Sequence, residues 1–252
     1  DRHNGPRDFQ EKLMLERLGV SSLDELIKQT VPEDILLAEP LALEPALSEY
    51  EYTTRLKEIV ALNKPFRSMI GMGYYGTASP AVIIRNILEN PSWYTSYTPY
   101  QAEISQGRLE ALINFQTMIS SLTGFNLSNC SMLDDATAAA EAMRMMYELR
   151  SRDAVKAGKN VFFVDKNIFP QVLSVLETRA DALDIEIVLG DYADCQFDEK
   201  CYGAILQYPA ANGEVRDYSS FCAKAHEKGI LVTAYCDLLA LALLKEPAAW
   251  GA

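Results

Sequence analysis

Histidine and paired cysteine are scarce in this 252-residue chain, and their scarcity narrows its chemistry before any motif is read. There are 2 histidines, His3 and His226. His226 falls near the end of an expected helix, where the helix dipole favours a cationic side chain by roughly 0.3 to 1 kcal/mol. His3 lies close to the start, so no Ser-His-Asp or Cys-His set can be assembled for nucleophilic hydrolysis. The 5 cysteines (Cys130, Cys195, Cys201, Cys222 and Cys236) are odd in number and include no Cys-x-x-Cys pair. That argues against a disulfide framework and a structural zinc site, and it fits a reducing compartment, so a cytoplasmic location is expected. Basic residues are short as well: 23 Lys and Arg stand against 35 Asp and Glu, for a formal net charge of -12. No basic footprint remains for phosphate backbones, and nucleic acid is not an expected partner. No apolar run reaches the roughly 20 residues that cross a bilayer, and the start from Asp1 to Arg7 has no apolar centre, so neither a membrane span nor a signal peptide is expected.

What the chain does have, 49% hydrophobic and 23% charged residues, is enough for one large domain or one domain with a small appendage. It begins without methionine and ends on Pro247-Ala-Ala-Trp-Gly-Ala252, which reads as a cut through a connecting loop, so a fragment of something longer is expected. Ser22-Leu-Asp-Glu25 and Ser48-Glu-Tyr-Glu51 match the capping box and each should open a helix, while an earlier helix from about Asp8 should stop at Gly19. Residues 1–63 are therefore expected to form a helical arm. Ser79-Pro80 offers an N-cap and a first-turn proline for a short helix ending at Asn90-Pro91, and Leu109, Leu112, Ile113, Ile119 and Leu122 mark a longer helix closed by Gly124. A third helix from about Leu133 carries Ala136, Ala138, Ala139, Ala140 and Ala142, small residues suited to close packing on a sheet. Apolar runs at 160–165, 185–189, 202–207 and 230–237, with helices proposed at 170–179 and 219–228, predict an α/β fold with a mainly parallel sheet. The acidic loop Asp191–Lys200 lacks an ordered ligand spacing and is read as solvated, with no metal site.

Between the helical front and this body lies the richest stretch, Gly71-Met-Gly-Tyr-Tyr-Gly-Thr77 followed by Ser92-Trp-Tyr-Thr-Ser-Tyr-Thr-Pro-Tyr-Gln101. Glycines allow close backbone approach, and polar-tipped aromatics give wide faces with one hydrogen-bonding end, a mixture suited to a ligand wall. Gly71, Gly73 and Gly76 satisfy Gly-x-Gly-x-x-Gly literally, but no strand precedes them, no helix opens at them and no second strand follows, so dinucleotide binding is set aside. Asp134 and Asp135 at the start of the alanine-rich helix read as ordinary capping, and their charge opposes a phosphate bound there.

Gly71–Thr77, Ile84-Arg-Asn-Ile-Leu-Glu-Asn-Pro91, the run Trp93–Glu110 and Leu133–Met143, with Arg2-His-Asn-Gly-Pro-Arg-Asp8 and the ending from Cys236 to Ala252, resemble the N-terminal half of the glycine-cleavage P protein, the pyridoxal-phosphate-dependent glycine decarboxylase. The resemblance covers nearly the whole chain. It implies a helical arm over 1–63 and, over 64–252, an incomplete aminotransferase-like large domain of the pyridoxal-phosphate fold type I, truncated at its C-terminal end. It also implies decarboxylation of glycine on pyridoxal phosphate, with transfer of the aminomethyl group to the lipoyl arm of the H protein. The Schiff-base lysine would belong to the C-terminal half or to a second P-protein subunit, which is then the expected partner. Within this chain the resemblance points to Tyr74, Tyr75, Thr77, Tyr97 and Gln101 as residues lent to the partner's site, and to Asp237 and Thr137 as vestigial cofactor positions. Phe169-Pro-Gln171 departs from the His-Pro-Gln of related chains, so no ring-stacking histidine transfers to that position. Two alternatives stay open: an autonomous aminotransferase-type enzyme using its own lysine, and a non-catalytic structural subunit.

Overall fold

The protein, seen in a computed structural model, is described over residues 5–39 and 41–252. His3 and the first residues of the Arg2–Asp8 signature lie outside the described residues. The chain divides into two units, one ending at Phe66 and one beginning at Arg67.

Caps set the helices of the first unit. α1 (Asp8–Leu18) ends at Gly19, whose φ of 74° suits a residue without Cβ. At α2 (Leu23–Thr30) the Ser22 hydroxyl accepts from the Glu25 amide at 3.1 Å. The reciprocal half of the expected box does not form: the Glu25 carboxylate accepts from the amide and hydroxyl of Ser21, both at 2.7 Å. At α3 (Glu49–Ala61) the box is complete, with Glu51 accepting from the Ser48 amide at 2.8 Å and Ser48 from the Glu51 amide at 3.3 Å. The Ser21 and Ser48 hydroxyls and amides hold the Glu25 and Glu51 carboxyls below their ordinary range. None of the three helices buries a residue.

The second unit opens with α4 (Ala81–Ile83), which widens into a π-helical turn over Ile84–Leu88, then α5 (Pro91–Tyr94) and α6 (Gln106–Thr123). Two expectations change here. Pro80, with extended ψ of 134°, itself occupies the cap of α4 and no side chain caps it, so Ser79 has no capping role. The aromatic stretch is also not all loop, because Asn90 accepts from the Ser92 amide at 3.0 Å and starts α5 across Pro91-Ser-Trp-Tyr94. α6 ends on Gly124 at φ 78°, and a Cβ there would sit 2.6 Å from Cγ of Glu246.

The remaining elements build the sheet: α7 (Asp135–Glu148), α8 (Arg152–Lys156), β1 (Val161–Asp165), α9 (Pro170–Asp181), β2 (Glu186–Gly190), β3 (Cys201–Tyr208), α10 (Ser219–Glu227) and β4 (Leu231–Cys236). The strands are parallel in the order β2-β1-β3-β4. β1 and β3 are buried along their whole length, which is why they read as mainly apolar runs without alternation, with Asp165 and Gln207 as the polar residues near their carboxyl ends. Phe162, Val164 and Ile205 pack with Ala136, Ala140 and Met143 of α7 and Val172 and Leu176 of α9. On the opposite face, Val161, Phe163, Ala204 and Leu206 pack with Phe221, Cys222 and Ala225 of α10. The register shifts once: Val161 aligns with Cys201 but Phe162 with Gly203, leaving Tyr202 as an extra residue on the α7 face. A Cβ on Gly203 would lie 3.0 Å from the Phe162 ring and 3.3 Å from the Met146 sulfur, so any larger residue beside that extra tyrosine would push on both.

After β4 comes a 3-10 turn over Ala240–Ala242, and residues 247–252 were expected to belong to a connecting loop. They form a 3-10 turn over Pro247–Trp250 instead, and Trp250, 4% exposed, packs 5.6 Å from the Tyr208 ring and 5.5 Å from the Tyr218 ring. Burial of this indole is what folds the tail back. Among the described residues no helix is long and apolar enough to cross a membrane, and no group of three or more His, Cys, Asp or Glu is placed to hold a metal.

Candidate functional site

From β1 the chain moves outward to β2, then passes back to the other side of β1 for β3 and onward to β4. The strand order therefore reverses between β1 and β3, and crevices at the carboxyl ends of such strands are where open α/β sheets bind ligands. A cleft of about 660 Å³ lies there. Its floor is the end of β3 and β4 with the cis peptide Tyr208–Pro209, and its outer wall is the glycine-rich segment Met72–Thr77.

That segment is a tight reverse turn. Gly71, Met72 and Gly73 all take positive φ (67°, 54° and 84°), and the Tyr74 amide donates to the Gly71 carbonyl at 2.9 Å. Three side chains just beyond the carboxyl ends of the strands hold it. Gln171, in the first turn of α9, donates to the Met72 carbonyl at 2.9 Å. The Phe169 ring lies against Gly73 so closely that a Cβ would stand 2.7 Å from Cε2. The Tyr75 hydroxyl donates to Asp237 Oδ2 at 3.1 Å, and this hydrogen bond, then the carboxylate charge, raises the Tyr75 phenol above its ordinary value. Phe169 is itself fixed, its amide donating to Oε1 of the buried Gln207 at 2.8 Å.

At the other side of the cleft, the amino end of α7 is already saturated. Asp134 accepts from the Thr137 amide at 2.6 Å, which holds the Asp134 carboxyl below its usual range. Asp135 accepts from the Ala136 amide at 2.9 Å and from the Tyr235 hydroxyl. Burial, then that bond, pushes the Tyr235 phenol up. Burial likewise pushes the Cys236 thiol up to about 12. At pH 8 such a thiol is roughly one part in ten thousand ionised, and the greater nucleophilicity of a more basic thiolate offsets part of that loss, so Cys236 should react with iodoacetamide about a hundredfold more slowly than an unperturbed thiol of pKa about 8.5. Mass mapping of alkylated peptides over time checks this, and rapid labelling of Cys236 in folded protein would refute it.

Of the residues singled out from sequence, Tyr74, Tyr75, Thr77 and Asp237 line this one cleft. Tyr97 and Gln101 are exposed and Thr137 stands in the first turn of α7; none of the three is in its lining. The docking roles of Phe169, Gln171 and Gln207 and the Tyr235–Asp135 pair carried no local signal beyond the Phe169-Pro-Gln171 departure. Pyridoxal phosphate does not fit the cleft as it stands. No lysine lines it among the described residues, carboxylates occupy the helix amides that would face a phosphate, and the strand-end aspartate is taken by Tyr75.

A parallel sheet wrapped by α7, α9 and α10, with a cleft at the strand order's reversal, defines an α/β protein with an open parallel sheet. The whole chain, residues 1–252, matches the family described as Glycine cleavage system P-protein, and it belongs to that family. It is 54% identical over 251 residues to a glycine dehydrogenase (decarboxylating) of Bacteroides fragilis and 53% identical over 251 residues to one of Nostoc sp.. Each alignment takes in 100% of this chain, and the chain spans 26% and 25% of those relatives' length. A crystal structure of glycine decarboxylase (P-protein) of the glycine cleavage system, in inhibitor-bound form, superposes with a TM-score of 0.85 at 29% identity, over 99% of this chain and 56% of that one.

Proposed function

We propose that this chain serves as the amino-terminal part of a glycine decarboxylase, and that its glycine-tyrosine segment completes a glycine site whose cofactor is held elsewhere in the enzyme. The observation that carries this reading is the fixed turn Met72–Thr77, which presents Tyr74, Tyr75 and Thr77 on a cleft that cannot itself hold the cofactor. Pyridoxal phosphate, bound by the C-terminal half or a second P-protein subunit, would act as electron sink for decarboxylation. The lipoyl arm of the H protein would receive the aminomethyl group.

What this chain's own residues can do is orient and exclude water. Tyrosine hydroxyls on a rigid turn offer directed hydrogen bonds to a small amino acid, and the aromatic faces around them shed solvent from it. Tyr97 and Gln101 belong to the proposal through the exposed stretch that follows α5, and Thr137 and Asp237 stand in it as vestiges of a cofactor site. The domain organisation proposed is a helical arm over 1–63 and an α/β domain over 64–252. A cytoplasmic setting accords with the unpaired cysteines.

The test is titration of this chain with low pyridoxal phosphate, borohydride reduction and mass mapping, beside reconstitution with the remainder of the enzyme. The expected result is no saturable, single-site lysine adduct, and glycine turnover only on reconstitution, falling on substitution of Tyr74 by phenylalanine. Stoichiometric labelling of one lysine here would establish instead an autonomous enzyme. Full turnover by Tyr74→Phe would reduce the segment to packing.

A further inference from the structure

We infer that the cleft at the carboxyl edge of the sheet is a dock for the chain's own glycine turn, that Asp237 is a positioning residue acting through Tyr75, and that Tyr74 is the tyrosine left to meet the substrate. The inference rests on the reading that this turn completes a glycine site. It differs from that reading in assigning Asp237 to the turn and in separating the two adjacent tyrosines.

The anchors come from two places at the carboxyl edge, Phe169 and Gln171 at the start of α9 and Asp237 after β4, and fall on successive points of the turn. Gln171 takes the Met72 carbonyl, Phe169 fills the space that Gly73 leaves, and Asp237 takes the Tyr75 hydroxyl. Glycines at 71 and 73 let the chain take this left-handed path, and the contacts to Met72, Gly73 and Tyr75 hold it on both sides of residue 74. Tyr74 is left between those contacts. Its hydroxyl makes no hydrogen bond among the described residues, and the side chain is 62% exposed, whereas the Tyr75 hydroxyl is committed to a carboxylate. A phenol held by a rigid turn with its hydroxyl unspent can bond the carboxylate or amine of a small amino acid; one already donating to Asp237 cannot donate a second time. Phe169 also gains a reason: its flat apolar ring packs on the bare Cα of Gly73.

Full-length glycine dehydrogenase carrying Asp237→Ala, Asp237→Asn, Tyr75→Phe or the Ala/Phe pair tests this through hydrogen exchange over residues 72–77, bound pyridoxal phosphate and glycine turnover. Loss of one exposed hydrogen bond should speed exchange of these amides roughly two- to tenfold in Asp237→Ala and Tyr75→Phe. Asp237→Asn, which keeps an accepting oxygen, should restore protection. The pair should be no worse than either single change, because both remove one contact, and bound cofactor should stay constant throughout. Unchanged exchange in Asp237→Ala, additive effects in the pair, or cofactor lost from Asp237→Ala would each overturn the inference. If exchange rises while glycine turnover holds, the dock stands and the catalytic reading of the turn fails.

Discussion

Gly73→Ala should lower glycine turnover of the full-length enzyme about a hundredfold while leaving bound cofactor in place. Two costs act together. At φ 84° a Cβ is strained by roughly 1–2 kcal/mol, and the same atom would lie 2.7 Å and 2.9 Å from the Phe169 ring, an overlap of the kind that costs roughly 1–3 kcal/mol when relieved by moving neighbours. Phe169 cannot swing away freely, since its amide is bonded to Gln207 and its ring packs edge-on to Tyr235 at 6.3 Å. The turn gives way instead, and a displacement of about 1 Å in a positioning element is enough for a hundredfold loss. Pairing Gly73→Ala with Phe169→Ala removes the overlap but not the strain, so about tenfold of the activity should return. Steady-state turnover of both variants decides the matter; near-normal activity of the single variant would show that the turn tolerates movement.

The second large effect concerns stability. Trp250→Ala removes a side chain that is 4% exposed and packed on Tyr208 and Tyr218, and truncations of this kind cost roughly 3–5 kcal/mol. For a unit of this size the melting temperature should fall by about 6 to 20 °C. Trp250→Phe should be much milder, because it keeps an aromatic ring in the cluster and deletes an indole N–H that is buried without a partner among the described residues. Thermal unfolding followed by near-ultraviolet circular dichroism reads both. A Trp250→Ala melt within a degree or two of the parent would mean that the 3-10 turn contributes little to the sheet's far face.

The strands were legible within about a residue because each centres on a short apolar run, and β1 and β3, buried on both faces, are polar only at Asp165 and Gln207 near their ends. Helix ends were legible where a single side chain or glycine makes them, as at Gly19, Ser48 and Gly124. They were misread where the cap depends on what a neighbour does, as when Glu25 chose Ser21 over Ser22. In the cleft, composition drew attention to the glycine- and tyrosine-rich stretch, and the family resemblance pointed within the chain to Tyr74, Tyr75, Thr77 and Asp237. The contacts that join them were invisible, since Met72 and Gln171 stand 99 positions apart, Asp135 and Tyr235 100, and Tyr75 and Asp237 162. Only the sheet's strand order brings such pairs together. Tyr202 was hidden for a different reason: an extra residue in a strand changes register without changing composition.

The 162-residue interval between Tyr75 and Asp237 also has a meaning in time. At ribosomal rates of roughly 5–20 residues per second, about 8 to 30 seconds separate the making of the two residues. Throughout that interval the nascent chain carries a glycine-rich, tyrosine-bearing segment with its final anchor not yet synthesised. The turn reaches its working form only when β4 joins β3, so arrival of the last strand is the event that readies a segment made long before it.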